Sequence, residues 1–156
     1  MLRRNDEDQT LELSWEQGER RAVIRFSEPR FRYRDKSDPL HADDDIVEYT
    51  VHLEGNGLDA SAVLVSLDTA GHGLARFLDD LAYDFRGGDG TRTWRNADRD
   101  LSVGATWSSR GHVSLDWHLT PSSYDKWSAH VVVEVEGGEE MVRLAAGLRN
   151  FFGSAV

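Results

Sequence analysis

The sequence predicts an α+β fold: one two-layer domain in which an antiparallel sheet of about six to seven strands carries two amphipathic helices on one face. Three observations carry this. Apolar and polar residues alternate with period two in several stretches, which is the mark of strands with one dry and one wet face. Two stretches switch to an i, i+3, i+4, i+7 stripe, which marks a helix that must bury one side. Glycine-bearing turns fall between the strands at hairpin spacing.

Residues 1–9 are polar and are expected to be frayed, so the domain is placed at 10–153. A short strand is expected at Thr10–Trp15, turning through Glu16-Gln17-Gly18-Glu19. The next runs from about Arg21 to Phe26 and resumes after Pro29, where Arg30, Arg32 and Arg34 alternate with Phe31 and Tyr33. Residues 35–45 form a charged loop. Val47, Tyr49, Val51 and Leu53 then alternate with Glu48, Thr50, His52 and Glu54. A two-residue Asn56-Gly57 turn pairs Leu53 with Ala60, Val51 with Ala62 and Tyr49 with Leu64, all on one apolar face.

The first helix follows a cap at Asp68 or Thr69, buries Leu74, Phe77, Leu78, Leu81, Ala82 and Phe85, and ends at Gly87-Gly88. Leu101, Val103, Ala105 and Trp107 alternate next. The loop Ser109-Arg110-Gly111, with glycine in the left-handed position, sets Trp107 opposite Val113, Ala105 opposite Leu115 and Val103 opposite Trp117. Trp127, Ala129, Val131, Val133 and Val135 share one side of the last strand. The second helix takes Met141, Leu144, Ala145, Leu148, Phe151 and Phe152 as its stripe, Glu139 and Glu140 in its first turn, and Gly153 as the cap of its end. Superposing Phe85 on Phe152 aligns the two stripes, so a strand–strand–helix pseudo-repeat and convergence on a common pattern both describe the chain.

Composition narrows the class. A net charge of −10 opposes nucleic-acid binding, which needs clustered cations, and permits a basic partner. Zero cysteines exclude disulfides and thiolate metal sites. No apolar run reaches membrane length, and MLRRNDEDQ lacks the apolar core of a signal peptide, so a cytoplasmic location is expected.

The runs LARFLDDLAYDFRGGDGTRTW, NADRDLSV and GHVSLDWHL, together with the Gly-Glu-Glu-Met start of the last helix, resemble the actinobacterial domain-of-unknown-function family 6228 over about residues 22–152. That family usually carries an aromatic where Gly88 stands here. Because the family is uncharacterised, the resemblance implies a domain and a source but no catalytic residue.

The glycine-rich RGGDGTR (86–92) follows a helix, whereas a phosphate cradle precedes one; it is read as a helix-ending loop. His41-Ala42-Asp43-Asp44-Asp45 lacks calcium-loop spacing and is read as a solvated loop. His72, between two glycines, is assigned to local turn chemistry. Trp107, Trp117 and Trp127 fall on apolar strand positions and are assigned to the core.

The most unusual feature is the polar face of the sheet. From Glu48 to Glu54, Ser102 to Ser108, His112 to His118 and Ser128 to Glu136, the outward positions include no Lys or Arg, and four of the six histidines lie there. His52, Asp116, His118, His130 and Glu134 are the candidate binding residues. Two functions are consistent with them. One is a non-enzymatic protein-binding module, an immunity-type toxin neutraliser or a self-associating domain, whose acidic face meets a basic protein or a second copy. The other is a small metal-dependent or acid–base enzyme using the same histidines. No cofactor is implied, no metal site is assigned, and neither a nucleic acid nor a membrane is expected as partner. An ordinary polar face, partly covered by the Arg30/Arg32/Arg34 strand or by the long N-terminal segment, is the bland alternative.

Overall fold

A computed structural model describes residues 1–32, 46–66, 72–84, 90–108, 110–121 and 126–156. The chain first forms a five-stranded antiparallel meander of β1 (Leu2–Asn5), β2 (Thr10–Gln17), β3 (Arg20–Phe31), β4 (Val47–Gly55) and β5 (Leu58–Ser66), followed by helix α1 (His72–Tyr83). A second meander then runs through β6 (Thr91–Arg95), β7 (Leu101–Trp107), β8 (His112–Leu119) and β9 (Ala129–Glu136), and ends in helix α2 (Glu139–Gly153). We call the two sheets A and B.

The expectation of one sheet of six to seven strands is therefore corrected: the described residues form two sheets, of five and four strands. Alternation shows which residues of a strand are dry, but not which sheet the strand joins. The dry faces of both sheets and the stripes of both helices share a single core. Strand β9 lies against β2, β3 and β4, while α2 packs on β1, β2, β3, β9 and α1. Gly147 lets α2 approach β2 closely, since a Cβ there would stand 3.0 Å from Leu11 Cδ1.

Within each sheet the expected registers hold. Leu53, Val51 and Tyr49 face Ala60, Ala62 and Leu64, and Trp107, Ala105 and Val103 face Val113, Leu115 and Trp117. Strand β3 carries a bulge between Ser27 and Arg30, with Glu28 at φ 55°, which is how it resumes beyond Pro29. The N-terminal segment expected to be frayed supplies β1, which pairs with β2 from Leu2↔Leu13 to Asn5↔Thr10. Its single apolar residue, Leu2, gave no alternation to read.

Two smaller expectations change. Trp127 precedes β9 and is exposed, so it is not core. Gly153 is the last residue of α2, and Ser154 is the C-cap, donating its amide to Phe151 O. The amino end of α2 has no side-chain cap at Gly138; instead Glu136 reaches forward, accepting the amides of Gly138 at 2.8 Å and Glu140 at 3.1 Å. Those two amides, Glu140 first, hold the Glu136 carboxyl below its usual range. The cap at Asp68 or Thr69, Phe85, Gly87-Gly88 and Arg34 lie outside the described residues.

Three predictions follow from this packing. Leu81 is fully buried, so Leu81→Asp should destabilise the protein by about 3–5 kcal/mol, read by denaturant unfolding; a variant melting within a few degrees of wild type would refute the packing. Gly111 has φ +74° and free space around it. Gly111→Val should therefore cost about 1–2 kcal/mol through backbone strain alone, and Gly111→Ala less. The Glu136 cap stabilises the ionised form, so its contribution is present above the ordinary glutamate range and fades as pH falls through the lowered folded value. Wild type should exceed Glu136→Gln by about 0.5 kcal/mol at neutral pH, a low figure for a cap because the carboxylate is solvated. Urea titrations should show that margin closing on acidification.

Candidate functional site

The outward side of sheet B is a grid set by strand register. Across β6, β7, β8 and β9, one row reads Arg95, Ser102, His118, His130; the next reads Thr93, Gly104, Asp116, Val132; the third reads Thr91, Thr106, Ser114, Glu134. His112 and Glu136 close the grid beyond the third row. The alternation that buries Val113, Leu115, Trp117, Val131, Val133 and Val135 is what turns these residues outward.

Three of the candidate residues converge on this grid. His118 and His130 sit directly opposite each other, and their rings stack at 4.8 Å with only 8° between planes. Asp116, two residues before His118 and on the same face, offers Oδ2 to His118 Nε2 at 3.1 Å and Oδ1 to His130 Nδ1 at 3.0 Å. One carboxylate thus faces two imidazole nitrogens. The side chains of Asp116, His118 and His130 are 39 %, 46 % and 60 % exposed, so the trio is open to solvent.

Glu134 lies four residues along β9 from His130, about 13 Å at strand rise, and is outside the trio. His52 is not on this sheet at all. It lies in β4 on the outer face of sheet A, where Arg25 of β3 stands directly across from it. Its Nδ1 is 3.1 Å from Arg25 Nη1, and its Nε2 contacts the Asp59 carboxylate. The single face expected from the sequence is thus two faces of different character.

Sheet A's outer face is cross-linked by charge. Arg25 meets Glu12 at 2.8 Å and Glu54 at 3.3 Å, and Arg30 meets Glu48 at 3.1 Å. Burial lowers the Arg25 pKa as the largest single influence, yet Glu12 and Glu54 together outweigh it and raise the group above its ordinary value. Arg32, just past the end of β3, approaches the same Glu48 at 3.7 Å, so both described arginines of this segment lie against β4 of sheet A rather than over the trio. The lysine- and arginine-free pattern survives on β7, β8 and β9, with Arg95 at the outer edge of β6.

Sequence reading missed two further features. Asn96 is a buried polar residue whose Oδ1 accepts the amides of Asp100 at 3.0 Å and Leu101 at 3.2 Å, fixing the β6–β7 turn. This gives the NADRD run a structural role, and burial raises the Asp100 carboxyl. A cavity of about 180 Å³ lies between the β1–β2 turn and α2, lined by Asn5, Gln9, Leu11, Gly147 and Asn150 among others. None of its lining residues is a candidate residue, and no periodicity announces it.

The structure is that of a small α+β domain with an exposed histidine–carboxylate face. The chain belongs to a family of unknown function (DUF6228), whose model matches residues 15–155. No curated protein and no solved structure matches it. Among the described residues, no helix is long and apolar enough to cross a membrane.

Proposed function

We propose that this domain is a non-enzymatic binding module and that the outer face of sheet B is its contact surface for a basic protein. The observation that carries the reading is the contrast between the two outer faces. On sheet A, long side chains already satisfy one another through arginine–carboxylate pairs. On sheet B, Ser102, Gly104, Thr106 and Ser114 make a low floor, with an exposed Val132 among them and Asp116, Glu134 and Glu136 around it. Short side chains lose little rotamer entropy when covered, so such a floor suits protein contact.

Charge favours a basic partner over a second copy. Two such faces brought together would oppose their own carboxylates, whereas a cationic surface would be steered toward them. An enzyme is the weaker reading. It calls for His52, His118 and His130 around one enclosed substrate, and His52 sits on the other sheet beside Arg25.

The test is charge reversal. Asp116→Lys combined with Glu134→Lys should leave the melting temperature within a few degrees of wild type, because both side chains project outward. Immobilised wild-type protein should retain a specific basic protein from its own cells in a salt-sensitive way, since exposed charges are screened over roughly 8 Å at physiological ionic strength. The double variant should lose that partner, while Ser61→Lys on sheet A should keep it. Equal retention by wild type and double variant would overturn the proposal, as would concentration-dependent self-association abolished by the same two changes.

A further inference from the structure

The geometry points to a zinc-class divalent metal site formed by Asp116 Oδ, His118 Nε2 and His130 Nδ1 on the outer face of sheet B. The donor atoms of these three side chains all lie within 4.8 Å of one another. Zinc bonds imidazole nitrogen at about 2.0–2.1 Å and carboxylate oxygen at about 2.0–2.2 Å, so tetrahedral ligands stand somewhat over 3 Å apart. The two aspartate–histidine separations, 3.1 and 3.0 Å, are already near that spacing. These two contacts use different oxygens of the one carboxylate, and the imidazoles are stacked almost parallel, so both rings must turn toward a common point and close the gap between them, which their exposure allows.

Strand pairing supplies the preorganisation. His118 and His130 are cross-strand partners, and Asp116 shares their face two residues away, so the backbone holds all three donors in one neighbourhood before any ion arrives. Gly104, opposite Asp116 on β7, leaves the carboxylate room to swing, since a Cβ there would meet only Thr91 Cγ2 at 3.9 Å.

Another histidine–carboxylate contact, on sheet A, shows what an unsuitable cluster looks like. His52 also touches carboxylates, but the Arg25 guanidinium sits on its other nitrogen and already provides the cation. Around the trio the nearest arginine in the grid is Arg95, two strands from His118, or about 10 Å at ordinary strand spacing. Two nitrogens and one oxygen are a borderline donor set, which selects zinc over magnesium or calcium. The remaining coordination position faces solvent. The inference stands on donor geometry and does not depend on the contact-surface reading, because metal uptake is measured on the isolated chain.

The experiment is calorimetric titration of the metal-free full chain with zinc chloride at neutral pH, repeated with cobalt(II) to read coordination from its visible spectrum. One zinc per chain should bind in the micromolar range and persist in excess magnesium and calcium. His118→Ala and His130→Ala should each weaken binding by at least ~10-fold, and Asp116→Asn should weaken it as well. His52→Ala and His112→Ala should leave it unchanged, and circular dichroism should show every variant folded. Absence of a zinc isotherm, or one untouched by His118→Ala and His130→Ala in folded protein, would overturn the site. An isotherm lost with His52→Ala or His112→Ala instead would overturn it equally. Zinc uptake without partner retention, or the reverse, separates this inference from the proposed function.

Discussion

The junction at Phe26 is the contact on which the rest of the structure depends. This β3 ring meets Trp117 of β8 edge-on at 5.9 Å and Phe151 of α2 at the same distance, so one side chain touches both sheets and the last helix. Tyr49 of β4 extends the cluster to Phe152 at 5.0 Å. Each ring brings a large apolar area and a preference for edge-to-face contact, so the cluster fixes orientation as well as burial. Neither sheet could be dry on its inner side alone. Leu53 on sheet A and Val133 on sheet B are both fully buried because the two faces and the helices close one volume.

That closure decides where function can reside. Once both apolar faces turn inward, each sheet has one outer face left, and the outer residues of the two sheets can no longer act together. His52 is thereby separated from His118 and His130. The two surfaces then take different routes to a stable polar exterior. Sheet A neutralises its carboxylates internally, with Arg25 between Glu12 and Glu54. Sheet B leaves Asp116 between two imidazoles, with Gly104 and Val132 rather than a cation as its cross-strand partners.

Much of the local structure was legible, because hairpin registers follow from short-range pattern. Asn56-Gly57 and Gly111 fixed two turns, and alternation then placed every partner from Tyr49↔Leu64 to Val103↔Trp117. The helix stripes were equally plain, with Leu74, Leu78 and Leu81 buried on α1 and Met141, Leu144 and Leu148 on α2. What stayed illegible was the partition of nine strands between two sheets. It depends on contacts such as Phe26 with Trp117, ninety-one residues apart in the chain, which leave no periodic mark. Strand β1 and the Asn96 clamp escaped for the opposite reason: each is too short or too polar to produce a pattern.

The same distinction explains why only part of the candidate set comes together. Asp116, His118 and His130 lie on two strands joined in sequence order, so pairing β8 with β9 was enough to bring them together. His52 would join them only if β4 continued the same sheet; instead β4 pairs with β3, which sets Arg25 directly across from it. A cation directly opposite changes the chemistry of a histidine more than any residue beside it in sequence, because across a strand pair the Cβ atoms stand about 4.5–5.5 Å apart. His52 is consequently one member of an ion-pair network that holds sheet A's surface, whereas His130, opposite His118 and diagonal to Asp116, keeps its donor nitrogen directed at a carboxylate with open solvent beyond. The difference between a structural histidine and a candidate ligand here is the identity of one residue on the neighbouring strand.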